Sequence, residues 1–468
     1  MRPALTCERF RKAVFFFFLL PLAGLGGQRM NAQRYGYTAS ARPVPAASIS
    51  KSPRWDIASM MSQMEGLLTP NNDLVLMAAH RAAWRNYPEN SESAIREAFE
   101  DGNEAIEIDV RFTSDNQCIV LHDTGLNRLV PNFGTDTAPM HLEADLRASY
   151  LRTARGLFVP QRAGNKVATN AGDRYDHVLN LYDVLAILDE YVQPGPTILG
   201  PYSYDYFGKA TGPMVIIDIK NAGATEPDIT RAAATALLAS CTQQVQEYIT
   251  DQKAAGKNTA VPAALVFKTK LAAFVDPAHA CVPYSSDAQW ANIRRRIVGV
   301  LTPGDVTTIA PENLPLFTNF ANSYLQHANT SSEAGCLLQF EFDQASPGDQ
   351  TDQYMNALDA PAAYHISANG RGYASWQMTY FYPEGVQARG EICCFQGYFA
   401  NSDQSLVPSG NSFPEFRPNL GFSVRRSGAT LTTTDQTESM CSLLLAQGRR
   451  NTALITSSGT AQACPVSH

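Results

Sequence analysis

The chain has 468 residues, 44% of them hydrophobic and 17% charged, with a net charge of −7. The apolar share is enough for a sizeable core, and Gly 31 with Pro 28 is ordinary usage, so a collagen-like or low-complexity chain is excluded. The acidic balance disfavours broad electrostatic binding to nucleic acid or to an anionic membrane, though not a small basic pocket. At about 150 residues per domain the length allows three domains, or one α/β barrel enlarged by insertions.

Arg2, Arg9, Arg11 and Lys12 against Glu8 precede an apolar run from Ala13 to Leu25, followed by Gly26 and Gly27. The run is too short to span a bilayer and is broken by Pro21, so residues 1–27 read as a secretory signal peptide. Export is therefore expected, and cleavage takes the net charge from −7 to −10. Residues 28–70 read as a flexible lead-in, the stretch to residue 55 being rich in Ala, Ser, Pro and Arg. Eight of the nine cysteines remain after cleavage, an even number that predicts disulfides tying insertions to the core. The absence of any CxxC pair argues against a zinc–thiolate site.

From Leu74 the texture becomes short apolar runs alternating with amphipathic ones. Leu74–Ala79 reads as a strand, Ser91–Asp101 as a helix, and Ala105–Phe112 and Ile119–Leu121 as strands. Leu181–Tyr191 is a predicted helix, Met214–Ile219 a strand, and Asp228–Tyr248 a long helix. Ala263–Phe267 and Ile297–Leu301 are strands on either side of a helix at Ala288–Arg295. Leu316–Gln326 is a helix and Cys336–Phe342 a strand. Ala429–Thr433 is a last strand and Thr437–Gln447 a last helix. About eight continuous apolar strands alternating with helices predict a (β/α)8 TIM barrel over 71–450, with a C-terminal tail at 451–468. Long loop insertions are placed near 130–177, 193–213 and 343–420, rich in Gly, Pro, Tyr and Phe.

Chemistry-bearing residues gather at strand ends: His80-Arg81, Glu107-Ile108-Asp109, His122-Asp123 and Asp218-Ile219-Lys220. Residues i and i+2 of a strand share a face, so Glu107 and Asp109 point the same way, as do Asp218 and Lys220. Paired carboxylates on an apolar strand need a cation. Three of them at a barrel mouth make an all-oxygen site for Mg2+ or Ca2+; salt bridges to Lys or Arg without a metal satisfy the same charges. Two histidines beside a phosphate can act as general base and general acid, and Arg81 offers a donor fork to phosphate oxygens.

The stretch from His80 to Arg128 closely resembles the glycerophosphodiester phosphodiesterase family of phosphatidylinositol phospholipase C-like barrels. It shows HR, then PENS, a helix ending in Gly, E-x-D, a T-x-D turn and HD in the family's order and spacing. Further on, IIDIK at Ile216–Lys220 and TTTD at Thr432–Asp435 match more loosely. The resemblance implies that His80 and His122 are the catalytic pair, that Glu107, Asp109 and Asp218 bind a divalent cation, and that Arg81 and Lys220 hold the phosphate. Glu89, Lys268 and Glu341 are possible supports, Asn90 and Ser91 read as helix caps, and Trp84 and Tyr87 could line the mouth. Two departures stand out. Ala82 replaces the family's Gly, which implies a re-aimed loop or a negative φ. Asp218 replaces the usual Glu, which resembles the sphingomyelinase D branch of the superfamily.

The implied reaction is hydrolysis of a glycerophosphodiester to sn-glycerol 3-phosphate and an alcohol. One alternative is phospholipase D-like cleavage of lysophospholipid or sphingomyelin with a cyclic phosphate product, and another is an inactive barrel that only binds. The partner is a small-molecule phosphodiester or lipid-derived substrate. No nucleic acid and no stable membrane span are expected, and the oligomeric state is left open.

Overall fold

A computed structural model of the chain describes residues 55–65, 74–134, 136–153, 156–167, 173–193, 210–220, 231–257, 259–270, 297–301, 337–343, 373–377, 429–435, 437–452 and 464. In chain order the main elements are α1 (Ile57–Glu65), β1 (Leu76–Ala79), α2 (Glu92–Glu100), β2 (Ala105–Phe112), β3 (Cys118–Val120), α3 (Glu143–Arg147), α4 (Leu181–Tyr191) and β4 (Met214–Ile219). They continue with α5 (Arg231–Ala254), β5 (Leu265–Lys270), β6 (Ile297–Leu301), β7 (Leu337–Asp343), β8 (Tyr373–Gln377), β9 (Ala429–Thr434) and α6 (Thr437–Ala446).

Eight parallel strands pair in the order β1-β2-β4-β5-β6-β7-β8-β9, and β9 pairs back onto β1. The sheet is thus closed, an α/β TIM barrel, as the strand rhythm predicts. Every residue of β2 and β4 is buried, as expected of strands covered on both faces. α2 starts where Ser91 Oγ accepts the Ala94 N–H, and it lays Ala94, Ile95, Ala98 and Phe99 on the core. α4 opens with a reciprocal capping box between Asn180 and Asp183.

Several expectations need correction. Ile119–Leu121 is not a stave of the barrel. It corresponds to β3, which folds back antiparallel on β2. The missing stave is β8, inside the stretch assigned to the 343–420 insertion, and it pairs parallel with β7 and β9. YASWQ has no continuous apolar run, so periodicity hides it.

The lead-in also contains structure. α1 buries Ile57, Met60, Met61 and Met64, and its last-turn carbonyl, Met64 O, accepts from Gln339 Nε2 and Thr430 Oγ1, both at 2.8 Å. Two buried donors and one buried carbonyl are satisfied this way, which fixes α1 against β7 and β9. Trp55 lies under the Arg450 guanidinium, 5.4 Å from its ring centre, and Arg450 pairs with buried Glu104 at 3.1 Å. The two ends of the barrel segment are thereby joined.

One disulfide stands among the described residues, Cys441–Cys464. It ties α6 to the tail rather than an insertion to the barrel. Cys118 on β3 and Cys241 on α5 are buried, unbridged neighbours with sulfurs 2.7 Å apart. Cys281, Cys336, Cys393 and Cys394 lie outside the described residues, as do the predicted helices at Ala288–Arg295 and Leu316–Gln326 and the segment 1–27. No helix among the described residues is long and apolar enough to cross a membrane.

Candidate active site

The register of the barrel sets the site. Asp109 on β2 stands beside Asp218 on β4, and Asp218 stands beside Lys268 on β5. Glu107 lies two residues below Asp109 on the same face. Ligand oxygens of Glu107, Asp109 and Asp218 all fall within 4.8 Å of one another, and all three side chains are buried. Two adjacent strands, β2 and β4, therefore present one oxygen cluster.

Its charge is balanced by lysines. Lys220 Nζ is 2.6 Å from Asp218 Oδ2 and 3.1 Å from Asp109 Oδ1. Lys268 Nζ is 2.6 Å from Glu341 Oε1, 3.3 Å from Glu107 Oε1 and 3.6 Å from Asp218 Oδ2. Burial alone would raise all three cluster carboxyls. Several cations together outweigh it, Lys220 with His122 and Arg81 at Asp109 and Lys220 with Lys268 at Asp218, so both are held below the usual range, whereas burial and the neighbouring Asp109 charge leave Glu107 raised. The donor set fits a hard divalent cation: three carboxylates from adjacent strands, with Asp109 Oδ1 accepting no well-directed hydrogen bond.

His80 follows β1 and is anchored by its own N–H to Thr434 O at 3.0 Å. Its Nδ1 meets Asp435 Oδ1 at 2.6 Å, and its Nε2 lies 3.9 Å from Glu107 Oε2. Burial works against the imidazolium, but Asp435 and Glu107 overcome it, and the pKa is raised. Trp84 Nε1 donates to the same Asp435 oxygen at 2.8 Å, so the indole fixes the carboxylate that fixes the histidine. Asp435 is thus a site residue that the strand-end reading passed over. Its signal was the match of TTTD to the family's closing strand-loop.

His122 follows β3. Its Nδ1 meets Asp123 Oδ1 at 2.8 Å, and its carbonyl accepts from Arg111 Nε at 2.6 Å. Burial, then the Arg81 charge, lower its pKa to about 4. Asp123 is held by Arg128, which also forks onto Glu89 at 2.6 and 2.7 Å. Glu89 in turn accepts from Arg81 Nη1 at 3.0 Å. Arg81–Glu89–Arg128–Asp123–His122 is one chain of charges, buried at Arg81 and Glu89 and partly buried at the rest, in which Arg128 has no role in the sequence reading and Asp123 appears there only as the neighbour of His122.

Arg81 is turned inward, 1% exposed, with Nε 3.5 Å from Asp109 Oδ2. Arg81 and Lys220 lie at the same mouth as the carboxylates and are engaged with them in this structure. Asn90 does not cap a helix. It donates to Asp109 Oδ2 at 3.0 Å and accepts the Asp109 N–H at 3.3 Å, holding that residue by both its carboxylate and its backbone. Ser91 is the cap. Tyr87 packs partly buried on the core.

Of the two alternatives for Ala82, the negative φ is contradicted: its φ is +62°, in the left-handed region. Arg81 at +53° and Asn90 at +59° are left-handed as well. Three such non-glycine residues beside this charge chain mark stored backbone strain at the site.

A closed parallel barrel with two carboxylate-anchored histidines around an acidic cluster defines a phosphoric diester hydrolase. Residues 80–193 match the Glycerophosphoryl diester phosphodiesterase family model. The match covers His80 through His122, but Asp218 lies beyond it. Among relatives, the uncharacterized protein y4eD of Sinorhizobium fredii is 27% identical over 390 residues, 82% of this chain and 87% of that one. The glycerophosphodiester phosphodiesterase of Bacillus altitudinis is 46% identical over 50 residues, 11% of this chain and 20% of that one. An Oleispira antarctica phosphodiesterase, solved with the product sn-glycerol-3-phosphate, superposes with a TM-score of 0.41 and 14% identity, covering 79% of this chain and 97% of that one.

Proposed function

We propose that this protein hydrolyses glycerophosphodiesters to sn-glycerol 3-phosphate and an alcohol, with a divalent cation at Glu107, Asp109 and Asp218. The observation that carries this reading is the pair of histidines held through Nδ1 by Asp435 and Asp123 beside that cluster. Fixing Nδ1 sets the tautomer and aims each ring. One imidazole takes the proton of the attacking water, and the other delivers a proton to the departing alkoxide. Arg81 and Lys220, cationic and at the mouth, neutralise the phosphate oxygens as charge builds. A bound cation would add Lewis-acid polarisation of the phosphate. The cluster's oxygen donors suit Mg2+ or Ca2+ equally.

Glycerophosphocholine turnover followed by 31P NMR tests the reading. sn-Glycerol 3-phosphate and choline should appear, and His80→Ala and His122→Ala should each lose activity by about two to four orders of magnitude. Rates like wild type in both would reject the pair.

One observation favours a second substrate class. The insertion after His122 exposes Met140, Leu142, Leu157 and Phe158, apolar side chains suited to an acyl chain. Lysophospholipid cleavage would then yield a cyclic phosphate, which the same spectra separate from a monoester. Export through residues 1–27 is proposed on the segment's n-region and apolar run. N-terminal sequencing of secreted protein should begin near residue 28.

A further inference from the structure

Lys268 and Glu341 stand out because the acid–base scheme does not use them, yet both are buried at its centre. Lys268 neighbours Asp218 in register, and its ammonium touches three carboxylates at once. Two of these, Glu107 and Asp218, belong to the candidate metal cluster. The third and nearest, Glu341 on β7, does not. A monovalent ammonium and a divalent cation sharing the same two carboxylates repel strongly in a buried setting. Both cannot keep the contacts seen here. Glu341, 1% exposed and 2.6 Å away, offers the ammonium another place to rest.

We propose that Lys268 is a tethered counter-cation of the carboxylate cluster. It neutralises Glu107 and Asp218 while no metal is bound and is drawn onto Glu341 when a divalent cation arrives. Glu341 thereby sets metal affinity without being a ligand. The arrangement keeps four buried carboxylates from facing one another unpaired in the metal-free state, which would otherwise be costly. It makes metal binding an exchange of cations rather than the filling of a bare negative hole. This inference rests on the metal reading proposed above.

Mn2+ binding to the purified full chain, read from the free-ion signal in electron paramagnetic resonance, tests it without any assay of turnover. Lys268→Met should bind Mn2+ at least about tenfold tighter than wild type, because a competing charge is gone. Glu341→Gln should bind at least about tenfold weaker, since Lys268 then has only the metal's own ligands to rest on. In the Lys268→Met background the Glu341→Gln change should shrink to about threefold or less. Lys268→Gln, which keeps a hydrogen-bonding side chain, repeats the first comparison should the methionine variant fold poorly.

Unchanged or weaker Mn2+ binding by both Lys268 variants, with wild type binding normally, overturns the counter-cation and leaves the metal reading standing. An equal loss on Glu341→Gln in both backgrounds also overturns it, because Glu341 would then be a ligand. A wild-type protein that binds no Mn2+, Mg2+ or Ca2+ removes the metal reading and this inference together.

Discussion

Ala82 shows how a single side chain can keep a backbone shape that chemistry disfavours. A Cβ at φ +62° costs roughly 1–2 kcal/mol relative to glycine. The buried methyl returns about 0.8 kcal/mol through burial. Ala82→Gly should therefore be neutral or stabilising by up to about 1 kcal/mol in urea unfolding. Ala94→Gly, at a buried position inside a helix, should cost at least about 1 kcal/mol in the same experiment. Equal costs at the two positions would mean that Ala82 is unstrained.

Asp435 acts through His80, so its removal should disturb turnover more than binding. Asp435→Asn should lower kcat by about 10- to 100-fold with KM little changed. A rise in KM at constant kcat would instead place Asp435 on the substrate.

Asp176 supplies a pH signature away from the acidic cluster. Burial pushes its carboxyl up to about 6, although Ser93 N and Asn165 Nδ2 donate to it at 3.2 and 2.8 Å. An unfolded Asp titrates near 3.9. Between about pH 4 and 6 the folded state holds more protons than the unfolded state, so stability falls as pH rises through that window and the deficit stays constant above it. Asp176→Asn should flatten this part of the stability–pH curve. An unchanged slope in denaturant titrations at pH 4, 5 and 6 would contradict the assignment.

Elements were legible where burial is uniform. β2, α4, β4 and β6 were predicted to the residue, since the two-sided burial of β2 and β4 writes continuous apolar runs, β6 is an unbroken apolar run, and capping residues punctuate α4. β3 was misread because three apolar residues look alike in a barrel stave and in a hairpin strand. β8 was missed because the information that places it lies in its neighbours β7 and β9, not in YASWQ itself.

α1 was lost inside a lead-in whose preceding stretch is polar and proline-rich. Its methionines nevertheless make it part of the core. Met64→Ala should cost about 2–5 kcal/mol in urea unfolding, the range for a fully buried large-to-small change. A cost under about 0.5 kcal/mol would return residues 55–65 to the status of a loose leader.

At the scale of the molecule, eight strands close a barrel and bring residues more than three hundred positions apart into one site, as with His80 and Asp435. The sequence displayed the residues that carry chemistry, because strand-end His and carboxylate pairs are local patterns. It did not display their supports. Asn90, Arg128 and Trp84 act through partners fixed by the fold, so no spacing reveals their roles, whereas Asp123 and Asp435 stood in the HD and TTTD motifs without a role.

Barrel closure also explains why Lys220 and Lys268 both face the carboxylates. The register brings β2, β4 and β5 side by side, and the proposed cation exchange would make the metal and salt-bridge readings of the sequence two states of one cluster. The most direct measurement is 31P NMR of glycerophosphocholine turnover, with and without EDTA, followed by restoration with Mg2+ or Ca2+. The account predicts sn-glycerol 3-phosphate as product, at least about a hundredfold loss in EDTA, and recovery on adding back the ion. Full-rate hydrolysis in EDTA, or no hydrolysis of any glycerophosphodiester or lysophospholipid with the ions supplied, would contradict it.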